Sequence, residues 1–158
     1  MYTEALTSRR TLALFVVLTL VFAGAGGWRT SSVGRDALAI VLVALAAFFV
    51  FYALNYRELN VQLSDAGLTL RFGIFTWQVA STNVERCYQD DTSLWRIGGA
   101  GIHFSPIRGR YRAMFNFLEY PRVVLELKHK QGLVRDIAFS TRHPESVLAL
   151  VRAWSLPA

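Results

Sequence analysis

The hydrophobic pattern of this chain changes period twice. Near its start, two runs are continuously apolar and uncharged: "TLALFVVLTLVFAGAGG" (Thr11 to Gly27) and "ALAIVLVALAAFFVFYAL" (Ala37 to Leu54). As helices rising about 1.5 Å per residue they span roughly 25–27 Å, near the hydrocarbon thickness of a bilayer once flanking residues are added. After Arg57 continuous hydrophobicity gives way to alternation. "NVQLSDAGLTLRFG" predicts two strands about a turn at Asp65-Ala66-Gly67, with Leu68, Leu70 and Phe72 inward and Thr69 and Arg71 outward. "FTWQVASTNVERCYQ" continues as strand, and "DDTSLWRIGGAG" reads as a long loop. "GIHFS", "YRAMFNFL", "RVVLELKH" and "LVRDIAF" are further strands. In "STRHPESVLALVRAW" the period becomes helical: Pro144 suits a first turn, and Val147, Leu148, Val151 and Trp154 form one stripe.

The expected architecture is membrane-anchored α+β. Residues 1–10 are expected as an N-terminal cytoplasmic tail, and 11–56 as a transmembrane hairpin with helices over 11–28 and 37–55. Residues 57–158 then form a β domain that ends in a helix over 144–155. Arg9, Arg10, Trp28, Tyr56 and Arg57 flank the apolar runs, as cationic and amphipathic residues do at headgroup depth. Ala23 and Gly27, four apart, offer a small face for close helix packing, against the second helix or another membrane protein. A competing reading takes "TSRR", the first apolar run and Ala23-Gly24-Ala25 as a secretory signal peptide. The second apolar run after a short loop favours the retained hairpin. Arg9, Arg10 and Arg57 on the terminal side outnumber Arg29 and Arg35 on the loop side, which puts the β domain on the cytoplasmic face of the cell membrane.

Charge and chemistry narrow the function classes. From residue 60 onward 12 Lys and Arg stand against 8 Asp and Glu, a net +4 that suits a domain near an anionic membrane surface and is too mild and scattered for nucleic acid. A single cysteine, Cys87, excludes an internal disulfide. Asp90 and Asp91 are adjacent on an extended segment and point apart, and His103, His129 and His143 lack partners at ligand spacing. "IGGAG" lacks the Gly-Lys-Ser/Thr ending of a phosphate loop, and there is no Gly-x-Ser-x-Gly elbow. No catalytic residue, cofactor or metal site is expected, and the chain reads as a non-enzyme.

Three segments carry a family resemblance. "VQLSDAGLTLRFGIFTWQVASTNVERC", "GGAGIHF" and "RVVLELKHKQGLVRDIAFSTRHPESVLALV" resemble the strands and closing helix of the bacterial pleckstrin-homology-like (PH-like) domains that follow transmembrane helices, over residues 57–155. The resemblance implies a PH-like antiparallel β-barrel of about seven strands capped by the C-terminal helix, in a fold that hosts lipid, peptide and protein binding. The first hairpin loop, "SDAG", is short and acidic, unlike the basic loop of inositide-binding relatives.

Candidate contacts lie in two stretches. In "SPIRGRYRAMFNF", alternation places Tyr111, Ala113, Phe115 and Phe117 inward and Arg110, Arg112 and Asn116 outward, with Arg108 in the bend. Arg108, Arg110 and Arg112 are either a solvated strand face or a contact for an acidic partner or anionic lipid. Trp95, Gly98 and Gly99 are candidate loop contacts. The expected function is a non-enzymatic membrane-anchored binding or scaffold protein that docks a membrane-protein partner or a second copy of itself, as an accessory subunit or assembly factor. The alternative is a sensor of anionic lipid headgroups through the basic hairpin. An enzyme whose site is shared across an oligomer stands last.

Overall fold

Tyr2, Glu4 and Leu6 alternate with exposed Thr3, Ala5 and Thr7, and this period-2 pattern forms strand β1 (Tyr2–Thr7). The computed structural model describes residues 1–107 and 109–154, and in it β1 pairs antiparallel with β2 (Glu58–Ser64), from Thr7↔Glu58 to Tyr2↔Leu63. The expected N-terminal tail is therefore the edge strand of a sheet. Glu4, buried on its inner face, accepts from Thr141 Oγ1 (2.6 Å), Tyr2 Oη (2.7 Å) and the Arg142 amide (2.9 Å). Those three donors satisfy a carboxylate that would otherwise be costly to bury.

Helices α1 (Arg9–Ser32) and α2 (Ala37–Asn55) are inserted between these two paired strands. Ser8 caps α1 by accepting from the Thr11 amide, and Asp36 caps α2 by accepting from the Ala39 amide. α1 runs four residues beyond its expected end at Trp28. Thr30 and Ser31 bond back to the Gly26 and Trp28 carbonyls, so the polar residues stay helical. Both helices are long and apolar enough to cross a membrane, and only 17% and 11% of their most apolar windows are buried within the chain. A core helix of a soluble domain would bury far more. Gly26 packs against Leu42 and Val43 at the helix–helix contact, with Ala39 and Ala46 also buried. Ala23 and Gly27 face outward instead, because they lie on the helix face turned away from that contact.

The remaining strands make two sheets, and no closed barrel forms among the described residues. The first sheet has the order β1-β2-β3-β4, with β3 Gly67–Phe72 and β4 Phe75–Ala80. The second contains β5 (Val84–Asp90), β6 (Gly101–Ile107), β7 (Arg110–Asn116), β8 (Arg122–Gln131) and β9 (Val134–Ser140), in the order β5-β8-β9-β7-β6. Among the described residues nine strands replace about seven: β1 is additional, and a 3₁₀ turn at Ser81–Asn83 splits one expected strand into β4 and β5. The β7–β9 pair is parallel, so the second sheet is mixed and not purely antiparallel.

One apolar core lies between the sheets, built from residues such as Leu59, Leu70, Phe72, Phe115, Phe117, Leu125 and Phe139. Helix α4 (Pro144–Trp154) adds Val147 and Val151 to it. The core continues into the helical hairpin. Phe15 packs on Tyr52 and Tyr56, and Tyr56 packs on Phe72 and Phe75. The Leu118 amide donates to Thr11 Oγ1 and Tyr120 Oη to the Thr7 carbonyl. Strand connections and side-chain contacts thus fix the hairpin to one end of the β sandwich.

Candidate functional site

The outer face of the second sheet begins with the alternation of β7, which directs Arg110, Arg112, Met114 and Asn116 away from the main core. That face is not solvated. A single helical turn, α3 (Leu94–Ile97), lies over it and packs Leu94 and Ile97 against Met114, Val124 and Ala138 in a second small core. Gly98 ends the turn at φ +89°, a left-handed conformation that suits glycine. The Gly99 carbonyl accepts from Asn116 Nδ2 at 2.7 Å, which ties the glycine segment to the sheet.

A charge network is enclosed beside this core. Arg112, 3% exposed, approaches Asp90 at 3.3 Å and Asp136 at 3.5 Å and donates to Tyr88 Oη. Arg122 Nε donates to Asp90 Oδ2 at 2.9 Å, and its Nη2 donates to the Thr92 carbonyl. Arg110 lies 2.8 Å from Asp136 Oδ1 and 3.6 Å from Glu126. The Arg110 Nε contact is off the N–H axis, so it is an ion pair without a directed hydrogen bond. Three guanidinium groups therefore meet three carboxylates, and the cluster is neutral.

The carboxylates respond differently to this setting. Burial pushes the Asp90 carboxyl up, but hydrogen bonds from Thr92 and Arg122 outweigh it and hold the group below the usual carboxylate range. At Asp136 burial wins over the attraction of Arg110 and Arg112, and the carboxyl is held above that range. The network clamps the 90–97 segment onto the sheet. Asp90 receives both the Thr92 amide and Arg122, so the chain reversal after β5 is fixed by charge-assisted hydrogen bonds.

The expected basic hairpin is thus divided. Arg112 is enclosed and Arg110 is ion-paired, while Arg108 lies outside the described residues. Sequence alternation gave these residues the correct face, but only the long-range partners Asp90 and Asp136 reveal that the face is covered. Trp95 stands on the outside of α3 with 97% of its surface exposed, and its neighbour Arg96 lines a cleft of about 640 Å³ with Asp91, Thr92 and Pro106. Of the residues expected at the membrane interface, Tyr56 is buried where the hairpin meets the sandwich, and Trp28, Arg9, Arg10 and Arg57 are exposed. Burial pushes the Cys87 thiol up to about 12, which leaves it protonated and inert at neutral pH.

The edges of the sheets carry a signal that single residues did not. β4 and β6 are both edge strands, and neither contains Asp, Glu, Lys or Arg. They approach each other through Trp77 and Phe104, whose ring centroids are 6.3 Å apart, without hydrogen-bonded pairing. Phe75, Tyr111 and Phe104, the last 50% exposed, stand along this seam. Uncharged, unpaired edges flanked by exposed aromatics are what natural sheets normally avoid. Among the described residues no group of three or more His, Cys, Asp or Glu side chains is arranged to hold a metal. No protein-family model matches the chain, and no curated protein is detectably similar to it.

Proposed function

We propose that this chain is a membrane-anchored, non-enzymatic binding or scaffold protein whose β domain, of the PH-like kind, docks a protein partner at its β4–β6 seam. The observation that carries the reading is the pair of uncharged edge strands meeting at Trp77 and Phe104, with exposed aromatics along them. An extended segment of a partner adding to β6 would satisfy its free backbone groups, and Phe104 and Tyr111 would supply side-chain contact. Pro106 has no N–H, so pairing would be confined to the residues before it.

The anchor is the α1–α2 hairpin, and its splicing between β1 and β2 holds the domain against the bilayer instead of on a flexible tether. Arg9, Arg10 and Arg57 at its base favour a cytoplasmic domain in the cell membrane. The partner is another membrane protein or a second copy of this chain, with the protein acting as an accessory subunit or assembly factor. Lipid sensing through the arginine hairpin is the weaker reading, since Arg112 is enclosed and ion-paired.

Native mass spectrometry of the full-length chain, extracted gently from its own membranes, tests the proposal. The expected result is a stoichiometric companion, or a second copy, that is lost from Phe104→Asp while the variant remains folded in the membrane. A bare monomer from the native chain would contradict it.

A further inference from the structure

At the helix end of the sandwich, the turn between β3 and β4 is held against the exit of α2. Gly73 lies there at φ +60°, and a Cβ in its place would sit 2.3 Å from the Asn55 carbonyl oxygen. The fit leaves no room for a side chain at Gly73, and the turn presents Ile74, 71% exposed, while the helix end presents Leu54, 65% exposed. Between the turn and the helix is a groove of about 380 Å³, lined by Leu54, Asn55, Arg57, Glu58, Asn60 and Arg71. This volume falls within the range of small-molecule sites. Among the described residues, neither Arg57 nor Arg71 has a carboxylate within ion-pairing distance, in contrast to Arg110, Arg112 and Arg122. Glu58 on the rim is engaged by Asn60 Nδ2 at 2.8 Å.

We infer that this groove binds the headgroup of an anionic phospholipid, with its phosphate between Arg57 and Arg71 and its acyl chains along Leu54 and Ile74. The inference rests on the membrane-anchored reading, since it is the bilayer that would bring lipid to this depth. Two guanidinium groups without a carboxylate partner line one groove, Arg71 held there by a weak bond from its Nε to the Gly73 carbonyl (3.4 Å), and they match a phosphate diester, to which arginine can donate bidentately. Exposed Leu54 on the groove and exposed Ile74, which shares an adjoining cleft with Arg71, supply apolar surface that a free anion would not use.

The test uses the full-length chain in detergent, titrated with phosphatidylglycerol or phosphatidylcholine and read by native mass spectrometry. Replacing both arginines, Arg57→Gln with Arg71→Gln, is expected to weaken phosphatidylglycerol retention about 10- to 30-fold and to leave phosphatidylcholine unchanged. Glu58→Gln should strengthen phosphatidylglycerol binding about 3-fold, because it removes the like charge on the rim. Arg135→Gln, exposed on β9, should change neither. Equal loss from Arg135→Gln, unchanged binding in the double variant, or displacement of the lipid by millimolar inorganic phosphate would each overturn the lipid site. An alkaline wash of native membranes tests the anchor separately. Release of the wild-type chain would sink the anchored reading itself, whereas a retained chain whose variants bind lipid normally would sink the groove alone.

Discussion

The two margins of the β sandwich are finished differently. On one, α4 packs Val147 and Val151 into the core and lies along β5, whose sequence carries Glu85 and Arg86. Nearby, β1 is tied to the start of α4 by Glu4, Thr141 and Arg142. On the other margin, β4 and β6 meet through Trp77 and Phe104 with no charge in either strand, and α2 reaches them at one end, where Tyr56 lies against Phe75 and Gly101. Under the proposed docking, the margin closed by a helix serves stability and the apolar, unpaired margin serves contact. A change at the first should cost folding, and a change at the second should cost association.

The largest expected effect is at the closed margin. Val151→Asp places a charge in the core and should destabilise the domain by about 4 kcal/mol or more, read as loss of cooperative thermal unfolding of the full-length chain. Next comes the clamp under α3. Asp90→Asn leaves Arg122 without a charged partner in an enclosed site and Arg112 with Asp136 alone, and should cost about 3 kcal/mol at pH 7. Asp136→Asn should cost about 1 kcal/mol or less, because burial already disfavours the ionised form of that group.

These two carboxylates also differ in pH dependence. Asp90, held low in the folded chain, contributes stability that is complete above the ordinary carboxylate pKa of about 3.9 and disappears as pH falls through its folded value. The stability gap between wild type and Asp90→Asn should therefore close in acid. Asp136, held high, is unfavourable when ionised, and that penalty is relieved as pH falls through its raised value. Unfolding midpoints measured across the acid range should show opposite trends for the two sites.

Gly73→Ala should cost about 2 kcal/mol, from a left-handed backbone and a clash with Asn55. The smallest stability effects are expected at the contact face. Phe104→Asp and Trp95→Ala should each shift stability by about 1 kcal/mol or less, since Phe104 is half exposed and Trp95 almost wholly so. A large loss of stability from either would erase the distinction between the two margins.

Much of this arrangement was legible in the sequence wherever a pattern was local. The second apolar helix, the β2–β3 hairpin and the stripe of α4 fall where the hydrophobic periods change. β1 was hidden because its inner face carries Glu4, whose donors come from residues 141 and 142 at the other end of the chain. The break between β4 and β5 has neither Gly nor Pro to announce it. The enclosure of Arg112 depends on Asp90 and Asp136, brought together by strand order and not by spacing. Ala23 and Gly27 are spaced for packing, but which face of α1 meets α2 is set by contacts at Gly26, Ala39 and Ala46. The seam itself was illegible, because a strand's place at a sheet edge is a property of topology.

The most direct test places a photo-crosslinking residue at Phe104 on β6 and, in a separate variant, at Glu85 on β5, each in the full-length chain in its native membrane. The account predicts one discrete crosslinked product from position 104, of a size matching a single partner or a second copy, and none from position 85. Equal products from both positions, or none from 104, would contradict the claim that the β4–β6 seam is the contact face.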